Sequence, residues 1–584
     1  MTPHNDGVSS PATGNFMSPH VSSVQKTDWA ALGIAYLFFW YFSGIHHLLL
    51  QLTGQTIFFG FRQSIIVSTL WLVPLLLWPN QGKAIARLIG LILWLTSLAS
   101  LGYFFIYWQE FSQSVIFIIF ETNVAEAGEY VAQYFKWWML PAFLAYTGGA
   151  YFLWRRVRKI TMPRRNAWVL STLILLTLFA YPNLKLIRNQ SFNLPSFVES
   201  IEKRMEPATP WQLVFGYTQY RKQLSAVTDL LEKNQQLPPL TNLQNAYQDV
   251  PATLVLVIGE STNRQHMSLY GYPRKTSPGL DALRHELQVF EHVYAPRPYT
   301  IEVMQQVLSF ADQQNPDLYL TRPSLINLMK QAGYKSFWIT NQQTMTKRNT
   351  MLTSFSRQAD EQVYLNNSRA QNSAEYDMDV VEPFKRALAD PAKHKLIIVH
   401  LLGTHMKYEY RFPPEFAVFK DGSGLPDWAN KEQQGIINDY DNAVLYNDKV
   451  MTTLIESMRQ AKTHGFMVYF SDHGEDVFDS GEHNVLGRNE GKPTIPMYAV
   501  PFFLWMTDSW RATEPRDFST FLDRPYGNSH FIHTWSDLAG LSYDGFEPEK
   551  SLVSGKFKEM PVWIGDPANP KGLIDLRKML PGKP

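Results

Sequence analysis

Residues 29–184 consist of long apolar runs joined by short polar connections. Charge-free runs extend between Arg62 and Lys83, between Arg87 and Glu110, between Lys136 and Arg155, and between Arg165 and Lys185. Together with a further apolar run near the N-terminus, five segments reach the roughly 20 apolar residues that a membrane-spanning helix needs. Buried helices of a water-soluble protein would instead carry polar faces with regularly spaced charges. We therefore predict five membrane spans, which begin near Trp29, Ser64, Leu88, Trp137 and Asn166.

The charges in the loops predict the orientation of these spans. The connection between the fourth and fifth spans carries six basic residues, namely Arg155, Arg156, Arg158, Lys159, Arg164 and Arg165. The loop after the third span is acidic instead, with Glu110, Glu121, Glu126 and Glu129. Because basic loops stay in the cytoplasm, we expect a cytoplasmic N-terminus and an external location for everything after Leu184. Residues 1–27 are polar and contain no cleavable signal, so they are expected to form a cytoplasmic N-terminal segment.

The same pattern suggests four consecutive regions. After the N-terminal segment, residues 28–189 form the transmembrane domain, and its outer loop 110–135 is predicted to lie at the membrane surface as an amphipathic helix. Residues 190–250 are predicted to be connector helices, with helical periodicity in Phe197–Met205 and Trp211–Lys233. Residues 251–584 read as an ordinary globular domain.

In this last region, short buried strands alternate with helices. Continuous apolar runs are Thr253–Ile258, Phe337–Thr340, Leu396–Leu402, Phe466–Ser471 and Phe502–Trp505. Helical stretches such as Ser324–Gln331 and Gly435–Met458 separate them. This alternation predicts an α/β domain with a mainly parallel central sheet that helices cover on both faces.

Polar residues follow three of these strands at the point where each strand ends. Glu260 follows the first, His405 follows Leu396–Leu402, and Asp472, His473 and Glu475 follow Phe466–Ser471. Ligands bind beyond the carboxyl ends of the strands in such folds, so these side chains should converge. A single Asp-His pair is more often a turn or a helix cap, but three such strand ends favour a site. Two carboxylates and an imidazole suit Zn²⁺.

A hydroxyl nucleophile is the second feature of interest. Thr300 lies between a predicted strand, Gln288–Ala295, and a predicted helix, Ile301–Phe310. This position is that of a helix N-cap, which stabilises a helix by about 1 kcal/mol. It is equally suited to a nucleophile, because a helix N-terminus and a metal ion both stabilise an oxyanion. The pattern leaves both roles open.

Composition excludes several classes of protein. The chain has 53 basic and 52 acidic residues, so a nucleic-acid partner bound by net charge is not expected. It has no cysteine, which excludes disulfides, thiolate catalysis and zinc sites with cysteine ligands.

The motifs IGEST, GTH and SDHGE, with a threonine before a helix and five spans upstream, resemble those of the bacterial lipid phosphoethanolamine transferases. These enzymes belong to the alkaline phosphatase–sulfatase superfamily. Within the family, VIGESTNRQHMSLYGYPR, RPYTIEVMQQVLSFA and WITNQQTMT are similar to the branch that modifies the heptose inner core of lipopolysaccharide. The resemblance implies a multi-pass protein of the bacterial inner membrane whose alkaline-phosphatase-like catalytic domain faces the periplasm. It also implies phosphatidylethanolamine as donor and lipopolysaccharide as acceptor.

The resemblance implies roles for individual residues. The zinc ligands would be Glu260, Thr300, Asp472 and His473, with Thr300 as the nucleophile of a covalent phosphothreonine-type intermediate. One zinc would be tightly bound, and Glu475 is a candidate ligand of a second. His405 and His483 would be catalytic, although a surface-loop histidine is an equal alternative for His483. The candidate substrate-binding residues are Thr122, Glu126, Asn341, Gln342, Lys347 and Glu475.

The sequence departs from the family pattern in two places. Many relatives carry disulfides in the periplasmic domain, which this chain cannot form, and Ile118 stands where relatives have a polar donor-site residue. Alternative functions are transfer to a lipid A phosphate, another head-group transferase, or a sulfatase-like hydrolase. A sulfatase of the usual type converts a Cys or Ser to formylglycine, so the absence of cysteine and the presence of Thr300 at the nucleophile position disfavour it. A lipopolysaccharide sensor with a degraded site would lack the ligands that are present here.

Overall fold

The structure, a computed structural model, describes residues 26–53, 58–107, 128, 131, 134–184, 194–233, 239–342, 351–365 and 376–580. Its internal contacts divide the chain into two compact units. The first draws on Met1–Glu110 and Trp137–Phe215, and the second on Phe111–Lys136 and Gly216–Pro584. The predicted outer-loop residues Thr122 and Glu126, and also Ile118 and Lys347, lie outside the described residues.

The first unit is helical. Its helices, with those of the connector, are α1 Trp29–Leu52, α2 Phe58–Val67, α3 Leu72–Leu77, α4 Gly82–Tyr107, α5 Met139–Arg156, α6 Arg164–Leu175, α7 Leu194–Met205 and α8 Trp211–Lys233. Three stretches are long and apolar enough to cross a membrane, namely Trp29–Leu52, Gly60–Leu77 and Pro79–Ile106. They agree with the first three predicted spans. Helices α5 and α6 occupy the positions of the fourth and fifth, for which spanning stays a prediction.

One face of α4 shows how this unit meets its surroundings. Leu88, Leu91 and Leu95 are three and four residues apart, and each is more than half exposed. Side chains at this spacing lie on one side of a helix. A continuous exposed leucine stripe is costly in water but favourable in lipid, so this face is suited to the bilayer.

The second unit is an α/β domain. Its strands are β1 Gln244–Asn245, β2 Ala252–Gly259, β3 Leu287–Val289, β4 Val293–Tyr294, β5 Lys335–Thr340, β6 Glu361–Tyr364, β7 His394–His400, β8 Gly465–Ser471, β9 Asp476–Val477, β10 Leu486–Gly487, β11 Phe502–Met506, β12 Tyr526–Gly527, β13 Leu541–Ser542, β14 Trp563–Ile564 and β15 Ile574–Asp575. Its helices are α9 Pro278–Ala282, α10 Thr300–Val307, α11 Leu325–Gln331, α12 Met351–Ser356, α13 Val381–Ala389, α14 Lys431–Gln460, α15 Ile495–Tyr498, α16 Asp508–Arg511 and α17 Phe531–Leu538.

The central sheet has the strand order β3-β11-β8-β2-β7-β5-β6. The five strands from β8 to β6 are parallel, as predicted, but β11 runs antiparallel to both of its neighbours, β8 and the edge strand β3, so the sheet is mixed. A parallel return needs a crossover, usually a helix. Between β8 and β11 the only helix is the four-residue α15, which follows the two-residue strands β9 and β10, so no helix of full length is available for a parallel crossover. The strand predicted over Gln288–Ala295 is divided into β3 and β4.

Strand β2 lies at the centre of the sheet and is buried along its whole length. Its alternate side chains enter two different cores. Leu254, Leu256 and Ile258 pack into the core on one face. Val255 and Val257 pack on the other face, which α14 covers. Burial on both faces is why this strand reads as a continuous apolar run.

A buried histidine joins the loops that follow β2 and β8. The Nδ1 of His266 lies 2.7 Å from Asp441 Oδ1, and its Nε2 lies 3.0 Å from Asp479 Oδ1. Arg274 Nη1 donates to the same Asp441 carboxylate at 2.9 Å. Burial alone would lower the pKa of His266, but the Asp479 and Asp441 carboxylates outweigh it and raise the pKa to about 10. The charged imidazole therefore binds α14 and the segment after β9 to the loop after β2.

This pairing predicts a pH dependence of stability. The raised pKa means that the stabilisation is fully present below the ordinary pKa of 6.5 and is lost as the pH rises through about 10. Over that range its contribution should fall by up to about 1.4 kcal/mol per pH unit. We expect His266→Gln to lower the melting temperature most at pH 6.5 and progressively less towards pH 10. The side chain of His285 is 77% exposed, and His285→Gln is the control. A melting-temperature difference independent of pH would contradict the charged state of His266.

Candidate metal centre and nucleophile

Three ligand-type side chains meet where two neighbouring strands end. Strands β2 and β8 pair in parallel up to Gly259 and Ser471. Glu260 follows one strand and Asp472 and His473 follow the other, so the register of the sheet brings them together. Their donor atoms all lie within 4.8 Å of one another, and all three residues are buried. The convergence that the sequence predicts for these residues is present in the structure.

The hydrogen bonds of His473 leave one nitrogen for a metal. Its Nδ1 lies 2.9 Å from the carbonyl oxygen of Gly474, which makes Nδ1 the donor. Its Nε2 lies 3.2 Å from Glu260 Oε1 and 3.2 Å from Asp472 Oδ2. A metal-binding imidazole characteristically donates its other N–H to a carbonyl or carboxylate in this way.

The carboxylates fit a cation for an electrostatic reason. Asp472 Oδ1 accepts from the backbone N–H groups of Ser261 and His473, but buried Oδ2 has no hydrogen-bond partner among the described residues. Burial would raise the pKa of Glu260, but His473 holds it well below its ordinary value. Burial and the adjacent Glu260 carboxylate raise the pKa of Asp472. Burial favours the neutral form of Asp472, so a divalent ion bound here would supply the positive charge that allows both carboxylates to be ionised.

Thr300 lies at this cluster, in a different position from the predicted one. Tyr299 is the N-cap of α10, and it makes no side-chain capping bond, whereas Thr300 is the first helical residue. The N-cap assignment of Thr300 is therefore wrong. Its Oγ1 donates to Glu260 Oε2 at 2.9 Å and lies 3.4 Å from His473 Nε2. The hydroxyl is directed to the ligand cluster, where it completes a set of two carboxylates, one imidazole and one hydroxyl oxygen, suited to tetrahedral zinc.

His405 also approaches the cluster, because its loop passes very close to Glu260. Gly403 has a φ of +57°, and a Cβ atom there would lie 2.6 Å from the Glu260 carbonyl oxygen. Only glycine allows this approach. Arg411 Nε donates to the His405 carbonyl oxygen at 3.0 Å and holds the loop. Burial lowers the pKa of His405 to about 3, so the imidazole is neutral at pH 7.

The candidate residues after β5 separate into two kinds. Gln342 Nε2 donates to Glu260 Oε2 at 3.2 Å and to the Leu401 carbonyl oxygen at 3.0 Å, so it orients a ligand carboxylate. Asn341 Nδ2 instead donates to Asp377 Oδ1 at 2.9 Å. The same Asp377 carboxylate accepts from the backbone N–H groups of Leu402 and Gly403. Asn341 therefore supports the turn that carries His405.

The remaining two candidates, Glu475 and His483, differ in burial. Glu475 is fully buried, and burial raises its pKa to about 7. His483 lies in a loop, where its ring stacks on Trp428 with ring centroids 3.8 Å apart and its Nδ1 lies 2.7 Å from the Phe478 carbonyl oxygen. Within the part of the chain that the structure describes, the cluster of ligand atoms consists of Glu260, Asp472 and His473 and does not include His483.

The sequence analysis missed one charged residue of the site. The Nη1 of Arg488 contacts His473 Nε2 and lies 3.9 Å from Glu260 Oε1. Burial would lower the pKa of Arg488, but the Glu475 and Glu260 carboxylates raise it, so the guanidinium is permanently charged. Arg488 follows the two-residue strand β10 in an irregular loop. The strand-end pattern, which identified the other residues, gives no signal at such a position.

Comparison with known proteins places this geometry in context. Residues 252–541 match the Sulfatase family. The chain is 51% identical over 564 residues to the phosphoethanolamine transferase EptC of Escherichia coli K12, a match that covers 96% of this chain and 97% of that protein.

Two solved structures resemble the protein. The zinc complex of the C-terminal periplasmic domain of Escherichia coli EptC covers 59% of this chain and 98% of that chain, with 57% identity and a TM-score of 0.58. The integral membrane lipooligosaccharide phosphoethanolamine transferase A of Neisseria meningitidis covers 89% of this chain and 98% of that chain, with a TM-score of 0.62. At 18% identity this second likeness shows the fold alone.

The ligand set predicts the metal content of the protein. Asp472→Asn and His473→Ala should each lower the zinc that co-purifies with the full chain to less than about a tenth, because even the loss of an outer partner weakens metal binding 10–100-fold. Elemental analysis of detergent-purified protein measures this. Glu482→Gln, a change to an exposed carboxylate in the same loop, is the control. Unchanged zinc in both ligand variants would refute the site.

Proposed function

Since the chain belongs to the phosphoethanolamine transferase family, we propose that it transfers phosphoethanolamine from phosphatidylethanolamine to lipopolysaccharide through a covalent intermediate on Thr300. The observation that carries the proposal is the Thr300 hydroxyl, 2.9 Å from Glu260 within a cluster of metal-ligand side chains. The full-length similarity to a protein named phosphoethanolamine transferase supports the transferred group.

The protein's own residues account for the first half of the reaction. Glu260, Asp472, His473 and Thr300 would hold zinc, which would lower the pKa of the hydroxyl and neutralise charge on the phosphoryl oxygens. Thr300 Oγ attacks phosphorus, the bond to the diacylglycerol oxygen breaks, and diacylglycerol leaves with a proton. The proton that Thr300 loses passes first towards Glu260 Oε2, to which the hydroxyl already donates.

In the second half, an acceptor hydroxyl oxygen attacks the phosphorus on Thr300, the bond between phosphorus and Thr300 Oγ breaks, and the proton of the acceptor hydroxyl passes to the released threonine oxygen. The first backbone N–H groups of α10 and the Arg488 guanidinium lie beside Thr300 and His473, where they oppose the charge on the phosphoryl oxygens. His405 is neutral at pH 7, so it is available as a hydrogen-bond donor to the same group.

The proposed acceptor is a heptose of the lipopolysaccharide inner core, because the motifs around Glu260, Thr300 and Asn341 are similar to those of that branch. A lipid A phosphate is the alternative acceptor. Mass spectrometry of core and lipid A fragments from a deletion strain distinguishes them. Loss of phosphoethanolamine from the core fragment supports the heptose, and loss from lipid A alone supports the alternative.

Thr300 provides the test of mechanism. Thr300→Val should reduce transfer by more than about 1000-fold, as expected for the loss of a nucleophile. Thr300→Ser, which keeps the hydroxyl, should retain measurable activity. Wild-type protein with phosphatidylethanolamine but no acceptor should gain one phosphoethanolamine mass on the peptide that contains Thr300. Thr513→Ala, at an exposed position, is the control for folding. Full activity of Thr300→Val, or an adduct on another residue, would exclude the mechanism.

The proposed location is the inner membrane, with five spans, a cytoplasmic N-terminus and a periplasmic catalytic domain. A reporter enzyme that is active only outside the cytoplasm should work when fused after Tyr107 or Lys233. It should fail when fused after Arg158, because of the basic residues between the fourth and fifth predicted spans. Fusion after Lys83 is the internal control and should also fail. Reporter activity after Arg158 would show that the topology is the reverse of the proposed one.

A further inference from the structure

A tyrosine far from the catalytic motifs in sequence lies at the catalytic centre. Tyr134 precedes α5 by five residues and belongs to the second unit, together with Lys136. Its hydroxyl lies against Gly487, in the loop that also carries Arg488. None of the strand-end motifs includes Tyr134, so its position is a property of the tertiary structure.

The contact with Gly487 is unusually close. A Cβ atom on Gly487 would lie 2.1 Å from the Tyr134 hydroxyl oxygen and 3.7 Å from Glu475 Oε1. The hydroxyl therefore occupies the space that any side chain at this position would need, and the buried Glu475 carboxylate also faces this position. Gly487 also has a φ of +89°, which favours glycine independently.

A second contact holds the same short stretch. Lys136 Nζ lies 3.2 Å from Glu432 Oε1, in the first turn of α14. Both side chains are more than half exposed, so this ion pair contributes little to stability. The ion pair is informative because it is a second, independent contact between this segment and the α/β domain.

The neighbours of Tyr134 are functional groups of the site. Arg488 follows Gly487 directly, and its guanidinium contacts His473 Nε2. Tyr134 and Glu475 both add to the negative surroundings that raise the pKa of Arg488. A hydroxyl packed against this backbone turn can fix the turn, and with it the direction of the adjacent guanidinium.

We propose that Tyr134 is a positioning residue of the transfer site, whose hydroxyl holds the Gly487–Arg488 turn so that the guanidinium faces the phosphoryl group on Thr300. The inference rests on the proposed function and adds to it a residue from the segment between the third and fourth predicted spans.

Kinetics of the full chain in phosphatidylethanolamine vesicles test the role. Tyr134→Phe should lower kcat about tenfold, because the turn that carries Arg488 loses the hydroxyl packed against it and a small misplacement of a charged group lowers the rate by this order. The KM for the donor lipid and the bound zinc should stay within about twofold of wild type. The melting temperature should stay within a few degrees of it. Tyr217→Phe, at an exposed tyrosine, is the matched control. A Tyr134→Phe protein with wild-type kcat would overturn the proposal, as would a loss of activity that merely follows zinc or stability.

Glycine variants test the contact itself. Gly487→Ala should reduce kcat at least as much as Tyr134→Phe, because the methyl group displaces the hydroxyl. Gly481→Ala is the matched control. Gly481 lies in the same loop with a φ of +56°, but it has open space around its Cβ position, so it reports backbone strain alone. In a Tyr134→Ala background, Gly487→Ala should reduce kcat no more than Gly481→Ala does. Equal effects of the two glycine changes in the wild-type background would contradict the contact.

Crosslinking separates this inference from the proposed function. The chain has no cysteine, so Lys136→Cys/Glu432→Cys introduces the only two thiols. A short bis-maleimide should join them within one chain, whereas neither single variant should form an intramolecular link. If the double variant crosslinks but the wild-type protein shows no transferase activity, the proposed function is refuted and the contact is retained. An active protein without the crosslink would refute the placement of this stretch and with it the role of Tyr134.

Discussion

The parallel pairing of β2 with β8 is the interaction on which the site depends. Their register ends with Gly259 beside Ser471, so the next residues of both strands enter the same small space. That space receives two carboxylates and an imidazole at nearly complete burial. Uncompensated charge at such depth is strongly unfavourable, and the rest of the site can be understood as a means of holding these groups in place for a cation.

Several neighbouring groups fix the ligands without being ligands themselves. Gln342 holds Glu260, and Asp377 gathers the N–H groups of the turn at Gly403. His266 links the loop after β2 to Asp441 and Asp479. Each of these contacts joins segments that are distant in sequence. Together they restrict the motion of the ligand loops, which is what precise placement of a nucleophile requires.

The two units meet different physical demands. The helical unit carries exposed leucines suited to lipid, while the α/β domain buries its sheet on both faces and concentrates polar groups at one edge. The proposed donor is a membrane lipid, so attachment of the catalytic domain to the bilayer raises the effective concentration of its substrate. The segment with Tyr134 and Lys136 belongs to the α/β unit although it lies between membrane-domain segments in sequence.

Local pattern was sufficient for the strands and for the convergence of three candidate ligand side chains. Burial on both faces makes β2, β7 and β8 continuous apolar runs, and Glu260, Asp472 and His473 follow such runs directly. Local pattern failed where long-range packing decides. The antiparallel edge formed by β11 depends on the connection that precedes it, and Thr300 is turned to Glu260 by the site and not by a capping bond. Arg488 and Tyr134 lie in segments without periodicity, and only the folded chain brings them to the ligand cluster. Sequence by itself determined which strand ends carry the candidate ligand side chains, because burial and alternation are local features. The tertiary structure alone decided which distant side chains complete the site, because their contacts join segments that no local pattern relates.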